Sequence, residues 1–208
     1  MPGPSRHLLL VRHGQSVWNA EDRWQGQADP PLSELGEEQA RDAAARLDGA
    51  GFTQVVSSDL QRARRTAEIL AEALGLDVRL DPGLREIDVG DWTGLTRSEI
   101  EARWPRDLAD WSEGRSESPL GGETRVHLAE RARRSLTRLA GQASPGEWLL
   151  VVSHGALIRN LDRVLGLPTE SMPNLAGRWY KADGNGSLVP GRVVLLANPE
   201  DRTQSPNP

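Results

Sequence analysis

The sequence predicts a three-layer α/β domain, with a mostly parallel central sheet between helices and an inserted lid. Two observations carry that expectation. Apolar runs of strand-like residues alternate with helical patterns along the 208 residues. Two of those runs also end alike, as Leu8-Leu9-Leu10-Val11-Arg12-His13-Gly14 and Leu149-Leu150-Val151-Val152-Ser153-His154-Gly155. Continuous apolar runs of this kind suit strands buried on both faces, as in a parallel sheet. Two such strands deliver two imidazoles to one carboxyl edge, where α/β proteins place ligands and catalysis. The chain holds only four histidines, and two of them stand at these strand ends.

The remaining elements follow from local signals. Gln54-Val55-Val56-Ser57-Ser58 reads as a third strand, and 77–80 and 192–196 as further ones. Ser33 is an N-cap residue for a helix running to about Leu47, with acidic residues in its first turn. A second helix spans 59–74, with an N-cap expected around Ser57–Asp59 and Gly75 as C-cap. A third covers 124–140 with Leu128, Ala132, Leu136 and Leu139 on one face, and a fourth covers 156–165 before Gly166. Residues 91–120 break this rhythm with three tryptophans and many charges. They read as a partly helical lid over the carboxyl edge, or else as a plain surface excursion. Residues 7–198 form one domain in this reading, and the polar, proline-rich 199–208 a disordered tail.

Composition excludes several classes. With no cysteine there is no disulfide framework, thiolate metal site or cysteine nucleophile. A net charge of −5 argues against non-specific nucleic-acid binding. No apolar run approaches the roughly 20 residues of a membrane span, and residues 1–6 contain no signal-peptide core. The expectation is a soluble cytoplasmic protein that engages neither membrane nor nucleic acid. The 25 basic residues include a single lysine, Lys181, a skew that says little about chemistry.

Four stretches carry chemistry. In Arg12-His13-Gly14, a neutral histidine held through its second nitrogen can accept a phosphoryl group, and the adjacent arginine can grip phosphate with two N–H groups. Taken alone, that tripeptide also fits a histidine capping a turn. The following Gln15-Ser16-Val17-Trp18-Asn19 brings short polar donors into a helix start, a ready anion site. Arg62 lies in the first turn of the second helix, positioned to reach back to the strand edge, whereas Arg64 and Arg65 read as a solvated face. Glu86, before a glycine-bearing turn, can protonate a leaving oxygen; Asp88 rivals it, and the sequence does not choose. His154-Gly155 offers a second imidazole opposite His13. A metal site is disfavoured, because the histidine spacing fits no compact zinc motif and the neighbouring arginines repel a cation. His7 and His127 read as surface residues. Gly184-Asn185-Gly186 lacks the strand–helix frame of a dinucleotide site.

Five segments in this order, 10–16, 57–63, 84–94, 121–124 and 152–155, resemble the histidine phosphatase superfamily, the phosphoglycerate mutase-like proteins. The resemblance covers about Leu8 to Leu196 and implies a Rossmann-like α/β sandwich. It further implies that His13 becomes phosphohistidine, that Arg12, Arg62 and His154 form the phosphate pocket, and that Glu86 is the proton donor. Asn19, Gln25 and Gly26 match substrate-contacting positions, with Ser16 and Gly155 beside them. No metal or organic cofactor is implied, and the partner is a small phosphorylated metabolite. The oligomeric state stays open, a homodimer included.

Cofactor-dependent mutases in this superfamily carry a longer insertion with a lysine and an arginine pair. Here Glu86-Ile87-Asp88-Val89-Gly90-Asp91-Trp92-Thr93-Gly94 and a short insertion follow the phosphatase-branch pattern. Residues 90–125 are similar to actinobacterial glucosyl-3-phosphoglycerate phosphatases, although acid phosphatases and α-ribazole-phosphate phosphatases share the same core. The leading expectation is a metal-independent phosphomonoesterase. A phosphoglycerate mutase and an idle binder of phosphorylated ligands are the alternatives. Trp92, Trp104 and Trp111 are expected near the carboxyl edge, as a surface suited to a sugar.

Overall fold

The computed structural model describes residues 5–47, 49–169, 171–183 and 187–197. The expectations for 184–186 and for the 199–208 tail lie outside the described residues. Six strands form one sheet: β1 (Arg6–Arg12), β2 (Gln54–Ser57), β3 (Val78–Leu80), β4 (Trp148–Ser153), β5 (Ala176–Ala182) and β6 (Leu188–Leu195), in the order β3-β2-β4-β1-β5-β6. The first four run parallel, and β5 and β6 add an antiparallel edge.

Alternation along β1 explains the three layers. Leu8 and Leu10 point into one core, with Val56, Leu149 and Val151. Leu9 and Val11 point into the other, with Val55, Leu150 and Val152. Helices α2 (Glu34–Leu47) and α3 (Gln61–Leu74) cover the second face through alanine-rich stripes, including Ala40, Ala43, Ala63 and Ala67. Helices α6 (Arg125–Gln142) and α7 (Gly155–Val164) cover the first with Leu128, Leu136, Leu157 and Leu161. A short α1 (Val17–Ala20) follows β1, and α4 (Arg97–Arg103) and α5 (Pro105–Ser112) lie in the insertion.

The helix ends follow the expected signals with one exception. Ser33 Oγ accepts from Gly36 N at 3.1 Å, Thr124 caps α6, and Gly75 closes α3 in the left-handed region. Helix α3, however, starts at Gln61 and not at Asp59. Leu60 holds its N-cap position with no side-chain bond, and Asp29, far away in sequence, accepts from Gln61 N at 2.5 Å. Two glycines let α2 approach the loop after β1: a Cβ on Gly14 would lie 2.5 Å from the Gly36 carbonyl oxygen.

The insertion is partly helical, as expected, and it is anchored in the first core. Trp92, Ile100, Leu108 and Trp111 are buried there. Backbone bonds Trp24 N to Leu95 O and Gly94 N to Trp24 O, 2.9 and 2.8 Å, stitch it to the body. A capping box on Thr96 and Glu99 starts α4, and Pro105 starts α5. Of the three tryptophans only Trp111 reaches the cleft beside the carboxyl edge, and all three are packed in or against the core. Trp92 is fully buried, edge-on to Trp24 at 5.3 Å; Arg125 covers the Trp111 ring at 3.4 Å; Trp104 packs on the core. Burying indole area stabilises the insertion, so most of each ring packs inward.

Candidate active site

The carboxyl ends of the parallel strands converge. In the β1–β4 ladder Arg12 pairs with Ser153, so His13 and His154 leave adjacent strands side by side. Their ring centroids are 5.1 Å apart, edge to face. β2 ends beside them and contributes Ser58, and the chain after β3 contributes Glu86.

His13 is held from both sides. Its Nδ1 lies 2.6 Å from the Gly14 carbonyl oxygen, and Arg62 Nε donates to its Nε2 at 3.2 Å. A carbonyl only accepts, so Nδ1 carries the hydrogen, and the unprotonated Nε2, on the pocket side, accepts from Arg62 through its lone pair. Burial, with the charges of Arg62 and Arg12, holds His13 well below the ordinary imidazole value. His154 is held low as well, by burial first and then by Arg62 and His13. Its Nε2 meets Ser58 Oγ at 2.9 Å. Both imidazoles are neutral at neutral pH.

The guanidiniums are fixed by backbone carbonyls. Arg62 donates to Ala28 O and Gly26 O at 2.8 and 2.9 Å, and Arg12 to Met172 O at 2.7 Å. Carbonyl partners orient both side chains without neutralising them, so their charge stays available to an anion. Burial lowers each to about 10, which leaves both protonated at neutral pH. Arg12 Nε is buried with no partner among the described residues, a donor suited to an anionic oxygen.

Glu86 faces the same pocket, with its carboxyl group at the start of α7. Oε2 accepts from Ala156 N, and Oε1 from Leu157 N and Ile87 N, all at 3.0 Å. The helix N-terminus thus orients the carboxyl group. Oε1 has both lone pairs engaged; Oε2 has one open to a proton. The loop carrying Glu86 is clamped from outside. Arg131 of α6 donates to the carbonyls of Glu86 (2.7 Å), Arg85 (2.5 Å) and Gly83 (3.1 Å), and pairs with both oxygens of Glu123. Arg85 forks onto Asp59 at 2.7 and 2.5 Å. Glu123 N in turn bonds Asp88 O at 2.9 Å, and a Cβ on Gly122 would sit 2.5 Å from that oxygen. The Gly121-Gly122-Glu123-Thr124 segment therefore acts through Arg131, at a distance from the pocket.

Residues 8–182 match the histidine phosphatase superfamily, branch 1. The chain belongs to this superfamily. It is 43% identical to a glucosyl-3-phosphoglycerate phosphatase of Mycobacterium tuberculosis over 87% of this chain and 86% of that one. It is 44% identical to a probable phosphoglycerate mutase of Cronobacter sakazakii over 77% of this chain and 75% of that one. Among solved structures, a mycobacterial glucosyl-3-phosphoglycerate phosphatase in complex with VO3 superposes with a TM-score of 0.80 at 38% identity, covering 93% of this chain and 100% of that one. The chain is thus a histidine phosphatase, an enzyme of the phosphatase class, with the sandwich fold expected from its sequence.

In this histidine phosphatase, Arg12, His13, Asn19, Gln25, Gly26, Arg62, Glu86 and Gly155 line one small polar pocket. His154 is fully buried beside His13. Ser16 stands behind the wall, where its hydroxyl donates to Gln25 Oε1 at 2.8 Å and accepts from Asn19 N at 3.1 Å. Geometry separates the rival acids: Asp88 bonds Gly90 N at 2.9 Å and is not on the pocket wall. Arg64 and Arg65 are exposed, as is His127. His7 departs from expectation: half-buried, it packs against Trp148 and Trp179 at 5.8 and 6.5 Å. Sequence reasoning missed Ser58, the Met172 carbonyl and Asn174, whose Nδ2 donates to His13 O at 2.9 Å. Ser58 was visible as a polar residue at a strand end; the other two carry no local signal.

Proposed function

We propose that this protein is a metal-independent phosphomonoesterase that hydrolyses a small phosphorylated metabolite through a phosphohistidine. The observation that carries this reading is the neutral His13, with Nδ1 tied to a carbonyl and Nε2 directed at the pocket. Nε2 attacks phosphorus as the ester P–O bond breaks, and the phosphoryl group passes to the nitrogen. Arg12, Arg62 and His154 hold the phosphoryl oxygens, where two fixed guanidiniums offset developing charge. Glu86 gives its proton from Oε2 to the departing alkoxide. It then takes a proton from the water that attacks the phosphorus of the phosphohistidine as the P–N bond breaks, which restores the acid, releases phosphate and frees His13. Asn19, Gln25 and Gly26 complete the wall, and Ser16 and Gly155 support it. The similarity to glucosyl-3-phosphoglycerate phosphatases favours a phosphorylated sugar-acid substrate. No helix among the described residues is long and apolar enough to cross a membrane.

The test is a trapping experiment. Wild-type protein quenched in alkali after exposure to a labelled phosphomonoester is expected to retain acid-labile label, and His13→Ala none. Label that survives on His13→Ala overturns the assignment. Phosphate release from p-nitrophenyl phosphate in EDTA separates the enzyme from an idle binder. Conversion of 3- to 2-phosphoglycerate exceeding hydrolysis would establish a mutase instead.

A further inference from the structure

Among the described residues, three buried side-chain nitrogens have no hydrogen-bond partner: Arg12 Nε, Trp92 Nε1 and His154 Nδ1. Trp92 lies in the first core. The other two belong to the active site and stand at the ends of adjacent strands, where Arg12 pairs with Ser153, the residue before His154. Arg12 Nε also lies 3.4 Å from where a Cβ on Gly155, the residue after His154, would stand. Arg12 Nε can only donate. What His154 Nδ1 offers depends on which ring nitrogen holds the single hydrogen of the neutral imidazole.

Ser58 decides between the two nitrogens. It follows β2 directly and is pinned through its backbone: its amide donates to Val152 O of β4 at 2.9 Å, and Ser57 Oγ donates to its carbonyl at 2.8 Å. Ser58 and His154 are both fully buried. The Ser58 hydroxyl oxygen accepts from Leu60 N at 3.3 Å and meets His154 Nε2 at 2.9 Å. A hydroxyl has one hydrogen to give. If that hydrogen points at Nε2, then Nε2 accepts, Nδ1 carries the ring hydrogen, and a single donor is left without a partner. If Nε2 instead donates to Ser58 Oγ, the serine hydrogen and the Nδ1 lone pair are both left without partners among the described residues. Buried polar groups are seldom left unpaired and each one is costly, so the first arrangement prevails.

We propose that Ser58 is a positioning residue: its hydroxyl fixes the hydrogen of His154 on Nδ1 and makes that atom, with Arg12 Nε, a donor to the phosphoryl oxygens. This rests on the phosphomonoesterase reading above. An N–H at Nδ1 attracts an anionic oxygen, whereas a lone pair there would repel it. The two imidazoles then carry hydrogen on the same ring nitrogen for opposite ends. A carbonyl at Nδ1 leaves His13 a free Nε2 with which to attack, and a hydroxyl at Nε2 leaves His154 a free Nδ1–H with which to hold. Both are set before the substrate arrives, so neither has to reorganise during the reaction.

Two-bond nitrogen–proton NMR correlations on the isotope-labelled full chain read the tautomer directly, at neutral pH and without ligand. The chain has four histidines, and His13→Gln and His154→Gln assign the pair in the site. Wild-type His154 is expected to show a protonated Nδ1 and an unprotonated Nε2. A protonated Nε2 overturns the proposal, and because this measurement needs no variant at Ser58, it stands even if Ser58→Ala does not fold. Ser58→Ala is expected to move both ring nitrogens of His154 towards a mixture of tautomers while the His13 signals stay in place. It is also expected to raise the Kd for orthovanadate, a mimic of the phosphoryl group, about tenfold. A purely structural serine would lower the melting temperature without moving the tautomer. A folded Ser58→Ala protein with the wild-type tautomer, or with wild-type orthovanadate affinity, therefore overturns the role of Ser58. Failure of wild type to bind orthovanadate overturns the phosphomonoesterase reading instead, independently of the tautomer.

Discussion

Keeping two buried histidines neutral ties stability to pH. His13 and His154 are held well below the ordinary value of 6.5, chiefly by burial and then by Arg62. Between that value and the low native one, the unfolded chain binds protons that the folded chain refuses. Acid therefore favours unfolding, and this contribution to stability is present above pH 6.5 and lost as pH falls towards the native value. Each pH unit is worth about 1.4 kcal/mol per proton once the unfolded imidazole is charged. Integrated from pH 7.5 to 5.5, each histidine removes about 1.4 kcal/mol and the pair about 3 kcal/mol. Asp59 is shifted in the other sense, below the ordinary carboxylate value by Arg85, and acts outside this window. Urea unfolding across pH 5.5 to 7.5 measures the loss directly. His13→Gln and His154→Gln are each expected to remove about half of the acid-dependent loss, and the double variant nearly all of it. A double variant with the pH dependence of wild type would refute the burial argument and the neutral nucleophile with it.

Two further outcomes follow from the same geometry. Glu86→Gln is expected to slow release of alkyl alcohols about 10²–10⁴-fold more than release of p-nitrophenol, measured by steady-state kinetics on both esters; equal losses would deny Glu86 the role of proton donor. Trp111→Ala removes a buried ring from the first core and a platform from Arg125, at a cost of about 3–5 kcal/mol, so the melting temperature and the turnover of small and large substrates are expected to fall together. An unchanged melting temperature with loss confined to large substrates would restore Trp111 as a substrate contact.

The sequence made legible what depends on local pattern. The runs ending at His13 and His154 are buried parallel neighbours because nearly every residue in them is apolar. Helix α3 ends at Gly75 because a left-handed C-cap leaves a mark at one position. Strand β5 left no such mark. Ala176-Gly177-Arg178-Trp179-Tyr180-Lys181-Ala182 neither alternates nor runs apolar, since Asp162 of α7 takes up Arg178 and Tyr180 at 3.0 and 2.7 Å. The start of α3 escaped for a similar reason, as Asp29 supplies the cap from 32 residues away. The insertion was legible as a break in rhythm, but the destination of its tryptophans depended on three-dimensional packing.

The active site divides in the same way. Its chemistry-bearing groups lie at strand ends and helix starts, where the fold itself fixes direction. The groups that hold them there come from far along the chain: Met172 O for Arg12, Asn174 for the His13 carbonyl, Ala28 and Gly26 for Arg62. Carbonyls do this without adding charge, so the pocket keeps two guanidiniums beside two neutral imidazoles and a single carboxyl group. An anion entering it gains two fixed positive charges and meets no proton on the Nε2 lone pair of His13. In the proposed mechanism the guanidiniums that would attract the phosphoryl group also add to the burial that keeps His13 deprotonated, so binding and activation are one electrostatic arrangement and not two.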